Sequence, residues 1–188
     1  ASTIVCTTAR SPAAVAELIE AHRVEVLPTA PSFLNMMLLT GAVARHDLSS
    51  LKIVTYGAEM MPQNLLERIG AALPDTVRLI QKYGTSEIGA LKSRSENNAS
   101  RWIDLGPEGE TWRIRDGLLE VKTKAAMLGY LNAPSPFTED GWYKTGDQVE
   151  VRGNLVQFQG RDSDIINVGG QKVFPAEFYN AFRARAGV

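Results

Sequence analysis

One cysteine, Cys6, and two histidines, His22 and His46, are all that the 188 residues hold of those types. A lone cysteine excludes an intramolecular disulfide framework and fits a reducing compartment, so the cytoplasm is the expected location. Cys6 lies in an apolar-threonine pattern and reads as a small core residue rather than a nucleophile. With one histidine on a helical stripe and the other in a loop, neither a zinc cluster nor a Ser-His-Asp hydrolase has its parts. The phosphate-binding signatures Gly-x-x-x-x-Gly-Lys-Ser/Thr and Gly-x-Gly-x-x-Gly are missing. No apolar run approaches a membrane span, and the first residues lack the charged start and apolar core of a signal peptide. Charge is also nearly balanced, with 21 acidic against 20 basic side chains and a net charge of -1. Without a basic tract there is no electrostatic case for nucleic acid or an anionic membrane.

What is present is a globular composition, 44% apolar and 22% charged, long enough for one or two domains with a sizeable core. A short strand is expected over 2–7. Ser11 as N-cap and Pro12 at the first helical position open a helix over 13–22, with Val15, Leu18, Ile19 and His22 on one stripe. A buried strand over 24–27 ends at Pro28. The stretch 32–39 is a helix that is apolar nearly all round. A second buried strand covers 51–56, a helix 63–73 stops at Pro74, and a strand over 77–81 follows. Alternation of strands and helices implies a parallel sheet with flanking helices, here expected over 1–96 as part of a larger domain. From about residue 97 the texture changes to short β-type runs separated by Asp116-Gly117, Asp140-Gly141 and Gly153-Asn154, which are hairpin signals. A small antiparallel, barrel-like sheet is therefore expected over 97–161. Residues 162–188 read as a charged link followed by the start of a further domain, with a helical run over 175–184.

The chain's most chemically dense stretch is Tyr83-Gly84-Thr85-Ser86-Glu87, just past the carboxyl end of the strand over 77–81, where open α/β sheets bind ligands. An aromatic face can stack on a base, hydroxyls and backbone N–H groups can take phosphate oxygens, and a carboxylate can hold Mg²⁺. The plain alternative is a polar loop. Gly57-Ala58 ends a strand in the same way, or is only a tight turn. Asp147, on a hairpin after Trp142 and Tyr143, suits two ribose hydroxyls or is an ordinary turn aspartate. Arg161 offers a guanidinium fork to the same ribose or to a phosphate, or is a surface arginine. Gly169-Gly170 is a close-approach backbone or a flexible turn. Trp102 and Trp112 read as core aromatics.

Three motifs in order, Tyr83-Gly84-Thr85-Ser86-Glu87, Gly141-Trp142-Tyr143-Lys144-Thr145-Gly146-Asp147, and the run that opens Gly160-Arg161-Asp162-Ser163-Asp164 and continues through Gly169-Gly170-Gln171-Lys172, resemble the acyl-adenylate-forming superfamily. That superfamily comprises acyl- and aryl-CoA ligases, adenylation domains of nonribosomal peptide synthetases, and luciferases. The resemblance implies an ATP- and Mg²⁺-dependent ligase that makes an acyl-adenylate from a small carboxylic acid. The acyl group then passes to CoA or to the pantetheine of an acyl carrier protein, with fatty acid metabolism as a setting. It implies that Gly57, Ala58 and Glu59 lie beside adenine, that Tyr83 stacks on it, that Gly84 and Thr85 border the α-phosphate and that Glu87 binds Mg²⁺. It further implies Asp147 and Arg161 at the ribose, Phe158 near the nucleoside, and Phe33, Gly84, Ile88 and Gly89 at the acyl pocket. Ser163 stands at the domain hinge where Asp or Lys is usual, and Gly169 and Gly170 fall on the pantetheine side.

The run Gly169 to Pro175 favours the CoA-ligase-like branch, while an amino-acid-activating adenylation domain stays open as an alternative. The superfamily is well over twice as long as this chain, and its phosphate loop and catalytic lysine are expected outside these residues. A central fragment is therefore expected, with little activity alone, and a noncatalytic nucleotide- or partner-binding piece is the other reading. A sheet that has lost neighbouring strands exposes an apolar edge, so self-association is expected. Sedimentation velocity at high concentration checks this: associated species are predicted, and a strictly monomeric boundary contradicts it.

Overall fold

The computed structural model describes residues 3–168, 171–173 and 175. They fall into two compact units, residues 3–81 with Asn97–Ser100, and Lys82–Glu96 with the described residues from Arg101 onward. The segment Lys82–Glu96, grouped by sequence with the α/β part, makes its strand pairings in the second unit.

In the first unit the order is α1 (Pro12–His22), β1 (Val26–Thr29), α2 (Pro31–Leu39), α3 (Ala42–Arg45), β2 (Ile53–Tyr56), α4 (Gln63–Ala72) and β3 (Arg78–Gln81). The start of α1 follows from Ser11, whose Oγ accepts the Ala14 N–H at 3.3 Å, and its end from Arg23 in the left-handed region. The strands pair in parallel in the order β1-β2-β3, with Val26 opposite Ile53 and Ile53 opposite Arg78. Central β2 buries Val54 and Tyr56 against Leu34 and Met37 of α2 and Leu66 and Ile69 of α4. Each such side chain contributes roughly 1.5–3 kcal/mol by leaving water. At the outer edge of β3, Asn98 stands in for a strand. Its Oδ1 accepts the Leu79 N–H at 2.8 Å and its Nδ2 donates to the Val77 carbonyl at 2.6 Å.

Two expectations are corrected here. The strand expected over 2–7 is not formed among the described residues: Ile4 is 84% exposed and Cys6 is exposed rather than in the core. Among the described residues, 3–7 join no strand ladder, and a strand without a ladder is not stable. The strand before α2 is also not buried. It is the edge strand β1, running through Pro28 and leaving Val26 half exposed, and an edge is where proline is tolerated in a sheet.

The second unit opens with β4 (Gly84–Thr85), β5 (Gly89–Ala90) and β6 (Arg94–Ser95). It continues with β7 (Ile103–Asp104), β8 (Trp112–Arg115), β9 (Leu118–Val121), β10 (Tyr143–Arg152) and β11 (Leu155–Arg161). The turn Asp162–Asp164 and the pair β12 (Ile166–Val168) and β13 (Gln171–Val173) follow. Six strands form one antiparallel sheet, β6-β7-β11-β10-β9-β8, with no pairing among the described residues that closes its two edges into a barrel. Asp116 and Gly117, at φ 54 and 77, make the primed turn that Asp-Gly specifies. The core holds Ile88, Ile103, Leu105, Trp112, Leu119, Val121, Tyr143 and Val156. Trp112 is fully buried, with its Nε1 donating to the Gly106 carbonyl at 2.9 Å, so it is a core aromatic as expected. No described helix is long and apolar enough to cross a membrane.

The turn before β10 is pinned electrostatically. Arg113 of β8 donates to both oxygens of Asp140 at 2.7 and 3.2 Å and to buried Glu120 at 2.6 Å, and its guanidinium lies 4.5 Å over Trp142. The Arg113 guanidinium and the Thr138 hydroxyl hold the Asp140 carboxyl well below the usual carboxylate range. Because the folded value is depressed, this carboxylate's contribution is complete above its ordinary pKa and is lost as pH falls through the folded one. The melting temperature of the wild-type chain is therefore predicted to fall more steeply below about pH 4 than that of Asp140→Asn. Parallel melting curves against pH contradict the assignment.

Candidate functional site

In the second unit, Tyr83, Asp147, Phe158 and Arg161 come together from two strands and a loop. The strand β10, which carries Asp147, is one arm of an antiparallel hairpin with β11, as expected. It is one strand whose pairing with β9 skips from Lys144 to Gln148, so that residues 145–147 bulge away from their neighbour. Gly146, at φ 74, supplies the backbone angle that this bulge needs. Within the bulge the Thr145 hydroxyl donates to the Leu119 carbonyl at 2.7 Å and accepts the Asp147 N–H at 3.0 Å. A second irregularity lies against β11 between Gln148 and Val149. Bulges re-aim side chains. Here they leave Asp147 opposite Arg161 in the ladder and turn its carboxylate toward Tyr83.

The carboxylate of Asp147 is nearly buried, with 12% of its side chain exposed, and both oxygens are engaged. Oδ2 accepts the Tyr83 hydroxyl at 2.6 Å and Oδ1 accepts Arg161 Nε at 3.3 Å. Burial, and then the Asp147 charge, push the Tyr83 phenol far above its ordinary value, so it stays a donor at any working pH. The negative charge of Asp147 likewise raises the Arg161 guanidinium. The Tyr83 ring stacks on Phe158, with centroids 4.3 Å apart and planes 24° from parallel. One face of Tyr83 is thus taken by protein, and a planar ligand has only the opposite face, or the outer face of Phe158, to stack on.

Thr85 and Glu87 lie on the adjoining hairpin β4-β5, where Gly84 pairs with Ala90 and Thr85 with Gly89. The hairpin is so tight that a Cβ on Gly84 would stand 2.3 Å from the Gly89 carbonyl oxygen, and Gly89 itself is at φ 70. Both glycines therefore have a backbone reason to be there, and Ile88 is buried in the core. Hydrogen bonds from the Thr85 and Tyr130 hydroxyls hold the Glu87 carboxyl below its usual range, so it is ionised at neutral pH. Tyr130 donates to Glu87 Oε1 at 2.7 Å, and Thr85 Oγ1 accepts the Glu87 N–H at 3.3 Å. A hydrogen-bonded, ionised carboxylate suits a hard cation such as Mg²⁺. No group of three or more His, Cys, Asp or Glu side chains that could hold a metal occurs among the described residues. The remaining ligands would be water or ligand oxygens, which is the usual arrangement for Mg²⁺ on a phosphate substrate.

The other expected site residues are in the first unit or past β11. Gly57-Ala58-Glu59 follows β2, with Ala58 at φ 66, a conformation costly for a residue with a side chain and typical of functional or switch positions. Glu59 accepts the Ser32 N–H at 3.0 Å and the Ser32 hydroxyl at 2.9 Å, which caps the first turn of α2. Phe33 is half-buried against the core of that unit. Ser163 is exposed in the Asp162–Asp164 turn, its hydroxyl donating to Asp164 Oδ1 at 3.0 Å. Gly169, Gly170 and most of the helical run expected over 175–184 lie outside the described residues.

Sequence reasoning missed Tyr130, whose only signal was an aromatic inside the apolar stretch 127–131. A groove of about 690 Å³ also went unanticipated, lined in part by Arg115, Asp116, Glu139, Lys144 and Gly146. Its charges are of both signs, and none of Tyr83, Thr85, Glu87, Asp147 or Arg161 is among its walls.

Residues 1–110 match the family described as AMP-binding enzyme. The 4-coumarate–CoA ligase 5 of Oryza sativa subsp. japonica is 30% identical over 196 residues, covering 92% of this chain and 36% of the relative. The L-proline–[L-prolyl-carrier protein] ligase of Pseudomonas fluorescens is 28% identical over 194 residues, covering 93% of this chain and 38% of the relative. The crystal structure of ATP-bound MatB from Rhodopseudomonas palustris matches with a TM-score of 0.75 at 23% identity, over 94% of this chain and 38% of that one, a likeness of fold. The chain spans little more than a third of the length of these relatives.

Proposed function

The chain belongs to the AMP-binding enzyme family, matched over residues 1–110, and from that premise we propose that it supplies the nucleotide grip of an ATP-dependent carboxylic acid ligase. In the proposed reaction an oxygen of the acid attacks the α-phosphorus, the bond to the bridging oxygen breaks, and pyrophosphate leaves with the electron pair. The acyl-adenylate then gives its acyl group to a thiol. One relative is a CoA ligase and another a carrier-protein ligase. A pantetheine thiol is common to both acceptors, and it is the acceptor class proposed here.

The observation that carries the proposal is the nearly buried Asp147 carboxylate held between the Tyr83 hydroxyl and Arg161. A carboxylate fixed by two donors still has lone pairs for the two hydroxyls of a ribose, which is how acidic residues hold ribose in other nucleotide sites. Arg161 beside it adds donors for the same sugar or for the α-phosphate. In this reading Tyr83 offers the face opposite Phe158 to adenine while Phe158 backs the ring. Thr85, with Gly84, faces the α-phosphate. Glu87 would hold Mg²⁺, which when bound neutralises charge on the phosphate oxygens. In the hairpin β4-β5, Gly84 and Gly89 are proposed to border the acyl group by backbone. The Asp162–Asp164 turn, with Ser163 in its middle, is proposed as the hinge to a following domain, with Gly169 and Gly170 beyond it toward pantetheine.

Removing the Asp147 carboxylate deletes charge-assisted hydrogen bonds worth about 1.5–3 kcal/mol. By calorimetry, Asp147→Ala is predicted to weaken AMP binding by about tenfold or more, with Asp147→Asn as the check that keeps the side chain's size. Unchanged AMP affinity in both variants, each with a cooperative melting transition, contradicts the ribose role.

A further inference from the structure

Glu87 is gripped at both ends by one loop. Its backbone carbonyl accepts the Met127 N–H at 2.7 Å, and its carboxylate Oε1 accepts the Tyr130 hydroxyl at 2.7 Å. The stretch between those anchors is exposed: Leu128 and the neighbouring Leu131 are fully solvated, and Tyr130 keeps 44% of its surface in water. Apolar burial therefore does not hold the loop at this point, and the hydroxyl bond and the backbone bond do. Tyr130 is 43 residues from Glu87 in sequence, so the contact belongs to the tertiary structure and not to a local turn. Closer to home, the Thr85 hydroxyl serves the same carboxylate from within the hairpin.

A free glutamate at a hairpin tip samples several rotamers, and a cation that needs one of them must bear the cost of selecting it. We propose that Tyr130 is a positioning residue for Glu87: from outside the hairpin it fixes one carboxylate oxygen, so that the remaining lone pairs are held ready for a divalent cation carried on a nucleotide. The inference rests on the reading of Glu87 as the metal carboxylate. Tyr130 touches neither nucleotide nor metal in this scheme and acts only through Glu87. Hydrogen-bonded partners of this kind tune metal affinity by tens of fold when the ligand depends on them.

The test uses the full chain with ATP and Mn²⁺ as the probe, with bound and free Mn²⁺ read by electron paramagnetic resonance. Tyr130→Phe, which removes one oxygen at a partly exposed position, is predicted to weaken Mn²⁺ binding by about tenfold. Glu87→Gln is predicted to weaken it at least as much, and the double variant to be no weaker than Glu87→Gln alone, since both changes act through one carboxylate. Wild-type Mn²⁺ affinity in Tyr130→Phe, with Glu87→Gln impaired, overturns the positioning role and leaves the metal reading standing. A Tyr130→Phe loss that persists at full size in the Glu87→Gln background also overturns it. Unchanged Mn²⁺ binding in Glu87→Gln removes Glu87 as the metal carboxylate, and the role of Tyr130 falls with it.

Discussion

The short bond from the Tyr83 hydroxyl to the Asp147 carboxylate is the contact on which the candidate site depends. It joins the first residues of the second unit to the middle of its longest strand, across 64 positions of sequence. A nearly buried carboxylate without partners would cost several kcal/mol or take up a proton. With the phenol on one oxygen and Arg161 on the other, both Asp147 oxygens are partnered and fixed in direction. The stacking of Tyr83 on Phe158 belongs to the same arrangement, because β11 carries both Phe158 and Arg161. Displacing β11 by one residue would reverse the faces of those two side chains and remove the stack and the ion pair together.

The backbone that makes this possible is irregular where it needs to be. A regular antiparallel ladder would send Thr145 and Asp147 to one face and continue to Gln148 without interruption. The bulge at residues 145–147, with Gly146 at positive φ and Thr145 bonded to Leu119, holds Asp147 in place without a regular ladder bond to β9. Strain and irregularity also mark the first unit, in Ala58 after β2. Both deviations occur at positions for which the sequence suggested chemistry, consistent with the tendency of functional sites to break local rules.

Much of this was legible in the residues themselves. Tyr83, Thr85, Glu87, Asp147 and Arg161 stand out because aromatic, hydroxyl, carboxylate and guanidinium groups beside glycines suit a nucleotide, and the helix signals of Ser11-Pro12 and the hairpin signal of Asp116-Gly117 depend on local geometry alone. What was not legible depends on long-range packing. Glycine in a bulge and glycine in a turn look alike in sequence, so Thr145-Gly146-Asp147 showed a hairpin aspartate or a turn aspartate but not the bulge. Burial of β1 could not be told from its apolar composition, because whether a strand is central or an edge is settled by its neighbours. Tyr130 was invisible for the same reason: its partner is 43 residues away and nothing around it is periodic. The phenol stacked on Phe158 changes the chemistry as well as the picture, since it leaves a base only one face of Tyr83.

Tyr83, Asp147 and Arg161 are proposed to form one nucleotide-binding surface. Titration of the isotopically labelled chain with AMP, followed by ¹H–¹⁵N correlation spectra, tests it most directly. Saturable shifts concentrated at Tyr83, at residues 145–148 and at residues 158–161 are predicted. Shifts confined to other parts of the chain, or no shift at millimolar AMP, would contradict it.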